Sequence, residues 1–259
     1  MKKILLILTI ILIGGNVFAQ DKLYLLFEFM KVDEEQEIVY DKTESFWEKL
    51  HEQRIKNGDI IGWDLWRLQP GGEDQGYQYL TVTLFNDPVK MFNGGDIQAA
   101  LNAAYPNMSQ DELNKSFDYT SKTRDLAVRL YLEQIDVTKD EFKLELGTVA
   151  AINLMKTTVG NYSKYESMES KIFKPMNQKQ VDNGSLGNWG LLRIMLPRGS
   201  EVFASHITVD MYKDYKQFYM PTQSDNTTLT ADQQKAISEA LETRDLTWTY
   251  MATLIKKAR

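Results

Sequence analysis

The sequence has no cysteine among its 259 residues. Disulfide bridges, thiolate metal sites and cysteine nucleophiles are therefore excluded. A lipid anchor on a processed amino terminus is excluded as well, because lipid attachment there needs a cysteine. The folded chain must be held together by burial of side chains alone, so it needs a substantial core.

The sequence also lacks a surplus of basic residues. Lys and Arg number 30 against 36 Asp and Glu, and the isoelectric point is near 5.1. Because a nucleic-acid-binding surface must neutralise phosphates with positive charge, nucleic acid is not expected as a partner. The mild acidity is explained by solubility.

No established catalytic or metal-binding motif is present. The sequence has no HExxH, no glycine-rich phosphate loop, no CxxC and no defensible Ser-His-Asp arrangement, and it has only two histidines. We therefore predict no metal site and no cofactor, and the sequence does not name a reaction.

The amino-terminal segment has the features of a secretory signal peptide. Lys2 and Lys3 precede an apolar run from Ile4 to Ile13, and small residues lead to Ala19. An uncleaved anchor is the alternative, but the run is shorter than the ~20 residues that span a bilayer. We expect residues 1–19 to be removed, leaving an exported protein without a membrane span, in the periplasm or outside the cell.

The rest of the chain contains an internal repeat. Thr-Arg-Asp-Leu occurs at residues 123–126 and again at 243–246, and each copy follows a helix start with a capping box. Those boxes are Ser109 with Glu112 and Thr230 with Gln233. Further pairs keep the same order at offsets of 125 or 126: Met30 and Met155, Tyr40 and Tyr165, Glu44 and Glu169, Asn57 and Asn183, Trp63 and Trp189, Leu65 and Leu191, Arg67 and Arg193. This predicts two tandem units, residues 20–140 and 141–259.

Each unit is predicted as strand, helix, strand, strand, helix, strand, which is the ferredoxin-like plan of an α+β protein. The predicted strands are Tyr24 to Val32, Trp63 to Leu68, Tyr77 to Phe85 and Ala127 to Ile135, and then Val149 to Lys156, Trp189 to Leu196, Val202 to Met211 and Leu246 to Ile255. A second strand that begins at a Gly-Trp, together with the duplication, resembles the dimeric α+β-barrel superfamily, in which two such sheets face each other. That superfamily includes small monooxygenase-like proteins and haem-dependent chlorite-dismutase-like proteins. Because duplication supplies both sheets in one chain, the resemblance implies a monomer. A homodimer that forms through another surface is the alternative.

Alternation along the strands separates two sets of side chains. One set is apolar and is expected to pack under the helices: Leu25, Phe27, Phe29, Trp66, Leu68, Leu80, Val82, Leu84, Val128, Leu130, Leu132, Ile152, Leu154, Leu192, Ile194, Ile207, Val209, Trp248 and Tyr250. The opposite set is polar and aromatic, and is expected to line an interior between the two sheets. The alternative is an open sheet whose polar face lies in water.

The polar set supplies the candidate ligand-binding residues: Glu28, Trp63, Arg67, Tyr79, Arg129, Asn153, Trp189, Arg193 and His206. The leading hypothesis is a protein that binds a small aromatic or anionic molecule between its sheets. One alternative is a cofactor-independent oxygenase or a haem enzyme, with His206 or Tyr79 as the working residue. In haem-dependent relatives the iron-binding histidine resembles a helix residue, which His206 is not. A purely structural or interaction role is the third possibility.

Two other features receive structural interpretations. Glu48 and His51 form a Glu-x-x-His step, but the matching segment of the second unit offers no further ligands, so a solvated helix face is expected. Arg124-Asp125 and Arg244-Asp245 are interpreted as charge pairs that fix the turn before the last strand of each unit.

Overall fold

The computed structural model describes residues 22–69, 76–139, 142–220 and 230–259. The predicted signal peptide and the predicted Pro70-Gly71-Gly72 turn lie outside these residues. The strands are β1 Tyr24–Lys31, β2 Gly62–Gln69, β3 Tyr79–Phe85, β4 Asp125–Val137, β5 Val149–Lys156, β6 Asn188–Leu196, β7 His206–Tyr212 and β8 Asp245–Ala258. The helices are α1 Glu37–Lys56, α2 Pro88–Asn93, α3 Ile97–Ala104, α4 Gln110–Thr123, α5 Tyr162–Met168, α6 Lys174–Asp182, α7 Tyr215–Phe218 and α8 Ala231–Leu241. Within the described part, no helix combines the length and the apolar character that a membrane span requires.

The eight strands form one closed antiparallel barrel. Their order around it is β1, β3, β2, β8, β5, β7, β6 and β4, with β4 pairing back onto β1. Each half of the chain supplies four neighbouring strands, and the halves meet along β2 with β8 and along β4 with β6. The predicted α+β architecture, with two ferredoxin-like sheets facing each other as a barrel, is confirmed.

The local helix signals are also confirmed. Ser109 and Thr230 accept hydrogen bonds from the backbone N–H of Glu112 and Gln233, and both capping boxes are complete. A single π-helical turn, Glu169–Phe173, joins α5 to α6. Such a turn holds one extra residue, so it accounts for the change of offset from 125 to 126 between the two halves. The duplication itself stays a prediction.

The interior of the barrel contains the main hydrophobic core, and every strand contributes to it. Its buried residues include Phe27, Phe29, Trp66, Leu80, Leu130, Ile152, Leu192, Ile207, Tyr250 and Leu254. Apart from Leu254, these are residues that we expected under the helices, so the predicted facing of the two sets is wrong. Trp248 of the same predicted set is exposed. A closed eight-stranded barrel has an interior just wide enough for side chains to fill, and the uniformly apolar face meets that requirement.

The helices cover the polar and aromatic face instead. Trp63 and Tyr79 pack in a cluster beneath α1 with Tyr40, and Trp189 packs with Tyr165 beneath α5 and α6. The helices are themselves polar on their buried side, since α1 buries Thr43, Glu44, His51 and Arg54 along with Tyr40 and Leu50. Polar strand residues therefore meet polar helix residues.

Candidate functional site

The sequence-predicted site residues all lie on the helix-covered side of the barrel, and the structure distributes them among separate groups. Glu28, Trp63 and Arg129 line one pocket in the first half, and Arg67 and Tyr79 line a second, more open depression. In the second half Arg193 and His206 belong to one charged cluster. Asn153 and Trp189 lie apart from that cluster. The expectation that these residues face each other across the barrel interior is wrong.

The pocket of the first half is the strongest candidate site, and we call it the helix-side pocket. It has a volume of about 360 Å³ and lies between the sheet and helices α1 to α3. Its lining includes Glu28, Glu44, Trp47, His51, Arg54, Trp63, Thr81, Thr83, Met91, Ile97, Arg124 and Arg129. Sequence reasoning selected Glu28, Trp63 and Arg129 but missed Glu44, Arg54 and Arg124, and it set His51 aside.

The α2–α3 segment closes one side of this pocket because two glycines turn the chain sharply between the helices. Gly94 and Gly95 both have positive φ, near 76° and 72°. The carbonyl of Gly94 accepts a 2.8 Å hydrogen bond from Arg54 of α1. A side chain on Gly95 would come within 2.7 Å of Asp59, so this close approach requires glycine.

Glu44 is the central polar residue of the pocket. Its side chain is fully buried and pairs with Arg124, which lies at the junction of α4 and β4. Its second oxygen, Oε2, has no partner of good hydrogen-bond geometry among the described residues, although the Tyr40 hydroxyl is close enough to lower the pKa of the carboxyl. Burial raises the pKa of the Glu44 carboxyl to about 7, although the positive charge of Arg124 opposes that rise. Glu44 can therefore hold or release a proton near neutral pH.

His51 lies two turns further along the same face of α1 and is also buried, so the predicted solvated face is wrong. Its ring stacks on Trp63 with centroids 5.1 Å apart. Nδ1 lies 3.1 Å from Nη1 of Arg54. Because an arginine N–H can only donate, Nδ1 accepts and the single ring proton is on Nε2. Burial, with Arg54 and Arg124 nearby, lowers the pKa of His51 well below its usual value, so the ring is neutral.

The charged pairs next to the Thr-Arg-Asp-Leu segments differ from the prediction. Arg124 pairs with Glu44 of α1, and Arg244 pairs with Glu169 at 2.8 Å, whereas the adjacent Asp125 and Asp245 are exposed. The repeat contained a signal for this arrangement, since Glu44 and Glu169 recur at the same offset as their tyrosine neighbours. Each half thus fastens its first helix to the start of its last strand by a buried ion pair.

In the second half, a network of charged residues lies between α5 and strands β4, β6 and β7. Glu166 of α5 accepts hydrogen bonds from Arg193 at 2.5 Å and bonds to Nε2 of His206 at 2.9 Å. Arg193 also donates to Glu133 at 2.9 Å. Burial would raise the pKa of Glu166, but the hydrogen bonds from His206 and Arg193 lower it to about 2. The first half has Arg67 and Tyr79 at the matching positions, and there Arg67 is exposed.

His206 and His51 both fail as ligands for haem iron. His206 is fully buried and bonds to Ser205 through Nδ1 and to Glu166 through Nε2, so neither nitrogen is available. His51 carries its proton on Nε2, and moving that proton to Nδ1 would oppose it to the Arg54 N–H. The helix-side pocket is also lined by charged groups, among them Glu28, Arg54 and Arg129. Within the described residues, no cluster of carboxylates and histidines could hold a metal ion.

Comparisons with known proteins support the fold. No family model matches this sequence, and no curated protein matches it. A solved structure of a candidate monooxygenase from Fusobacterium nucleatum has a TM-score of 0.54 at 10% identity, over 92% of this chain and 94% of its own. An anthrone oxidase-like protein has 0.53 at 9% identity, over 92% and 93%. A candidate chlorite dismutase has 0.51 at 9% identity, over 91% and 95%.

At this level of identity the likeness is one of fold. The α+β-barrel fold that the resemblance implied is therefore supported, and no family is shown.

Proposed function

We propose that the protein binds a small, partly aromatic molecule in the helix-side pocket of its first half. The observation that carries this proposal is the fully buried Glu44 carboxyl at the pocket, whose Oε2 has only the nearby Tyr40 hydroxyl beside it and no partner of good hydrogen-bond geometry among the described residues. A buried polar atom left unpaired costs ~1–3 kcal/mol. A ligand that donates a hydrogen bond to this oxygen would recover that free energy.

The other lining residues specify the ligand further. Trp47 and Trp63 supply aromatic walls, and His51 presents an Nε2–H for which the described residues offer no acceptor. Glu44 and His51 are seven residues apart on α1, so their α-carbons are ~10 Å apart along the axis. A planar molecule with a hydroxyl or amine at one end and an oxygen acceptor at the other fits this pattern.

A second candidate function is cofactor-independent oxygenation in the same pocket. The pKa of Glu44, about 7, suits a general base that acts near neutral pH. Glu44 would take a proton from the hydroxyl of a phenol-like substrate, and His51 would donate a hydrogen bond to an oxygen at the other end of the anion that forms. Two of the structural neighbours are described as a candidate monooxygenase and as anthrone oxidase-like, which supports testing oxygen consumption.

The test compares binding of 1-naphthol with binding of naphthalene by tryptophan fluorescence. We expect 1-naphthol to bind at least ~10-fold more tightly, since a hydrogen bond to a charged group contributes ~1.5–3 kcal/mol. Glu44→Gln should remove most of this preference. Glu169→Gln is the matched control, because Glu169 forms the equivalent ion pair in the second half and does not line the helix-side pocket.

Two results would contradict the proposal: equal affinity for both compounds in the unaltered protein, or loss of the preference in Glu169→Gln as well. Oxygen uptake with 1-naphthol, absent in Glu44→Gln, would support the oxygenase function.

We also propose that the chain is exported after cleavage behind Ala19 and acts as a monomer. The sequence of the first nineteen residues supports export, and closure of the barrel within one chain supports the monomer. Amino-terminal sequencing of protein purified from its own host tests the first statement. Sedimentation tests the second.

A further inference from the structure

The two ends of the barrel interior are filled differently. At one end Phe29, Tyr77 and Tyr250 pack against one another, with ring centroids 4.8 to 6.4 Å apart, and the tyrosine hydroxyls are 2.7 Å apart. Towards the other end lies a cavity of about 190 Å³. Its walls are almost entirely apolar and include Phe27, Trp66, Val82, Ile152, Leu192 and Val209.

Small residues leave this end hollow. Ala150 and Gly190 line the cavity at positions where other strands of the barrel place larger side chains. A methyl group built on Gly190 would have the carbonyl of Asp136 as its nearest neighbour, 3.9 Å away. The backbone at Gly190 does not have a positive φ, so neither its conformation nor crowding requires glycine there. The missing side chain creates space.

The two charged groups at this cavity, Asp64 and Arg259, already pair with each other. Asp64, which matches Gly190 in the other half, is buried and bonds to Arg259 with 2.8 and 2.9 Å between nitrogen and oxygen. Arg259 is partly exposed, and half-buried Leu23, Leu144 and Met211 complete this end of the lining. An ionised ligand would have to compete with an existing ion pair, whereas a neutral one would not.

We infer that the barrel interior is a second ligand site, for a neutral apolar molecule about the size of one aromatic ring. Apolar cavities of ~150 Å³ in proteins stay dry and bind benzene. The present cavity is somewhat larger and shares its apolar character. The site is separate from the helix-side pocket, because the two lie on opposite faces of the same strands.

Toluene is the probe, and binding is measured by thermal melting and by methyl NMR of the whole protein. A ligand that binds only the folded state raises the melting temperature. We expect toluene to raise it and to shift the methyl signals of Ile152 and Val209. Gly190→Leu fills the cavity and should lose both effects, while Gly160→Leu, at an exposed position with open space, should keep them.

The outcomes separate this inference from the proposed function. Glu44→Gln should leave the toluene effect unchanged. The inference is overturned by absence of stabilisation and of methyl shifts in the unaltered protein, or by shifts confined to Thr81 and Ile97 of the helix-side pocket. It is also overturned if folded Gly190→Leu responds like the unaltered protein. Should Gly190→Leu not fold, Gly190→Ala, with a weakened response, replaces it.

Discussion

Arg67 and Arg193 occupy equivalent strand positions, yet they should differ sharply in their importance for stability. Arg193 forms ion pairs with Glu166 and Glu133. Its loss would leave the Glu166 carboxylate without an arginine partner, next to the fully buried ring of His206. Arg67 is exposed and has no ion pair among the described residues. Substitution of each arginine by leucine therefore compares a networked charge with a solvated one on the same surface of the barrel.

The expected loss of stability in Arg193→Leu depends on how deeply the Arg193 ion pairs are buried. Removing one partner of a buried ion pair costs ~3–5 kcal/mol. The Arg193 side chain is 34% exposed, so water can partly replace it. We therefore expect Arg193→Leu to lower the free energy of unfolding by about 2 kcal/mol, which is ~4–8 °C in melting temperature for a chain of this size. Arg67→Leu should stay within ~0.5 kcal/mol.

Thermal melts at several pH values provide the assay. The folded-state pKa of Glu166 is about 2, below its ordinary value of 4.5, so the stability it contributes is present above pH 4.5 and lost as pH falls towards 2. The difference between unaltered protein and Arg193→Leu should shrink over that window. Equal melting temperatures for both variants, or a difference that does not change with pH, would refute the reasoning.

Further predictions concern separate parts of the chain. Since the folded-state pKa of Glu44 is raised to about 7, stability should fall as pH rises from 4.5 through 7, and Glu44→Gln should flatten that dependence in denaturant titrations. Ser109→Ala and Thr230→Ala should each cost ~1 kcal/mol in urea unfolding, because each removes a helix cap; no change in either would argue against the capping boxes. His206→Ala should leave any Soret absorbance after mixing with haem unchanged, because His206 is fully buried.

Much of the fold was predictable from short-range patterns. Strand β5 has the predicted bounds, and α1 ends at Lys56 with Asn57 as its cap, before Gly58 of positive φ. The capping boxes and the order of elements depend only on neighbouring residues, so sequence reasoning could reach them. The closed barrel followed from the resemblance rather than from any residue pattern.

The facing of the strands could not be obtained from alternation. Because side chains alternate along a strand, every second residue lies on the same face of the sheet. This alternation separates two sets of side chains, but it does not show which set packs against the helices. We assumed that helices cover the more apolar face. The contrary signal was in α1, whose inward positions include Thr43, Glu44, His51 and Arg54 and therefore require polar neighbours.

The helix-side pocket was missed for a related reason. Glu44, His51 and Arg54 all lie on α1, but only tertiary packing brings them together with Arg124 at the α4–β4 junction and with the strand residues Glu28 and Arg129. Their buried state changes their chemistry, since the pKa of Glu44 depends on desolvation that no sequence motif specifies. Glu44 and Glu169 recur in the two halves together with Arg124 and Arg244. This recurrence indicated the two ion pairs, but it did not indicate the pocket.

The shared core of the barrel determines how the chain can be divided. Neither half encloses its own apolar surface, because the interior side chains of both sheets interlock in one cluster. A first half made alone would expose that surface and two unpaired strand edges, β2 and β4, which favours association with another chain. The predicted boundary near residue 140 lies between β4 and β5, and melting should nevertheless occur in a single cooperative transition. Two fragments cut there should regain structure only when mixed, by fragment complementation.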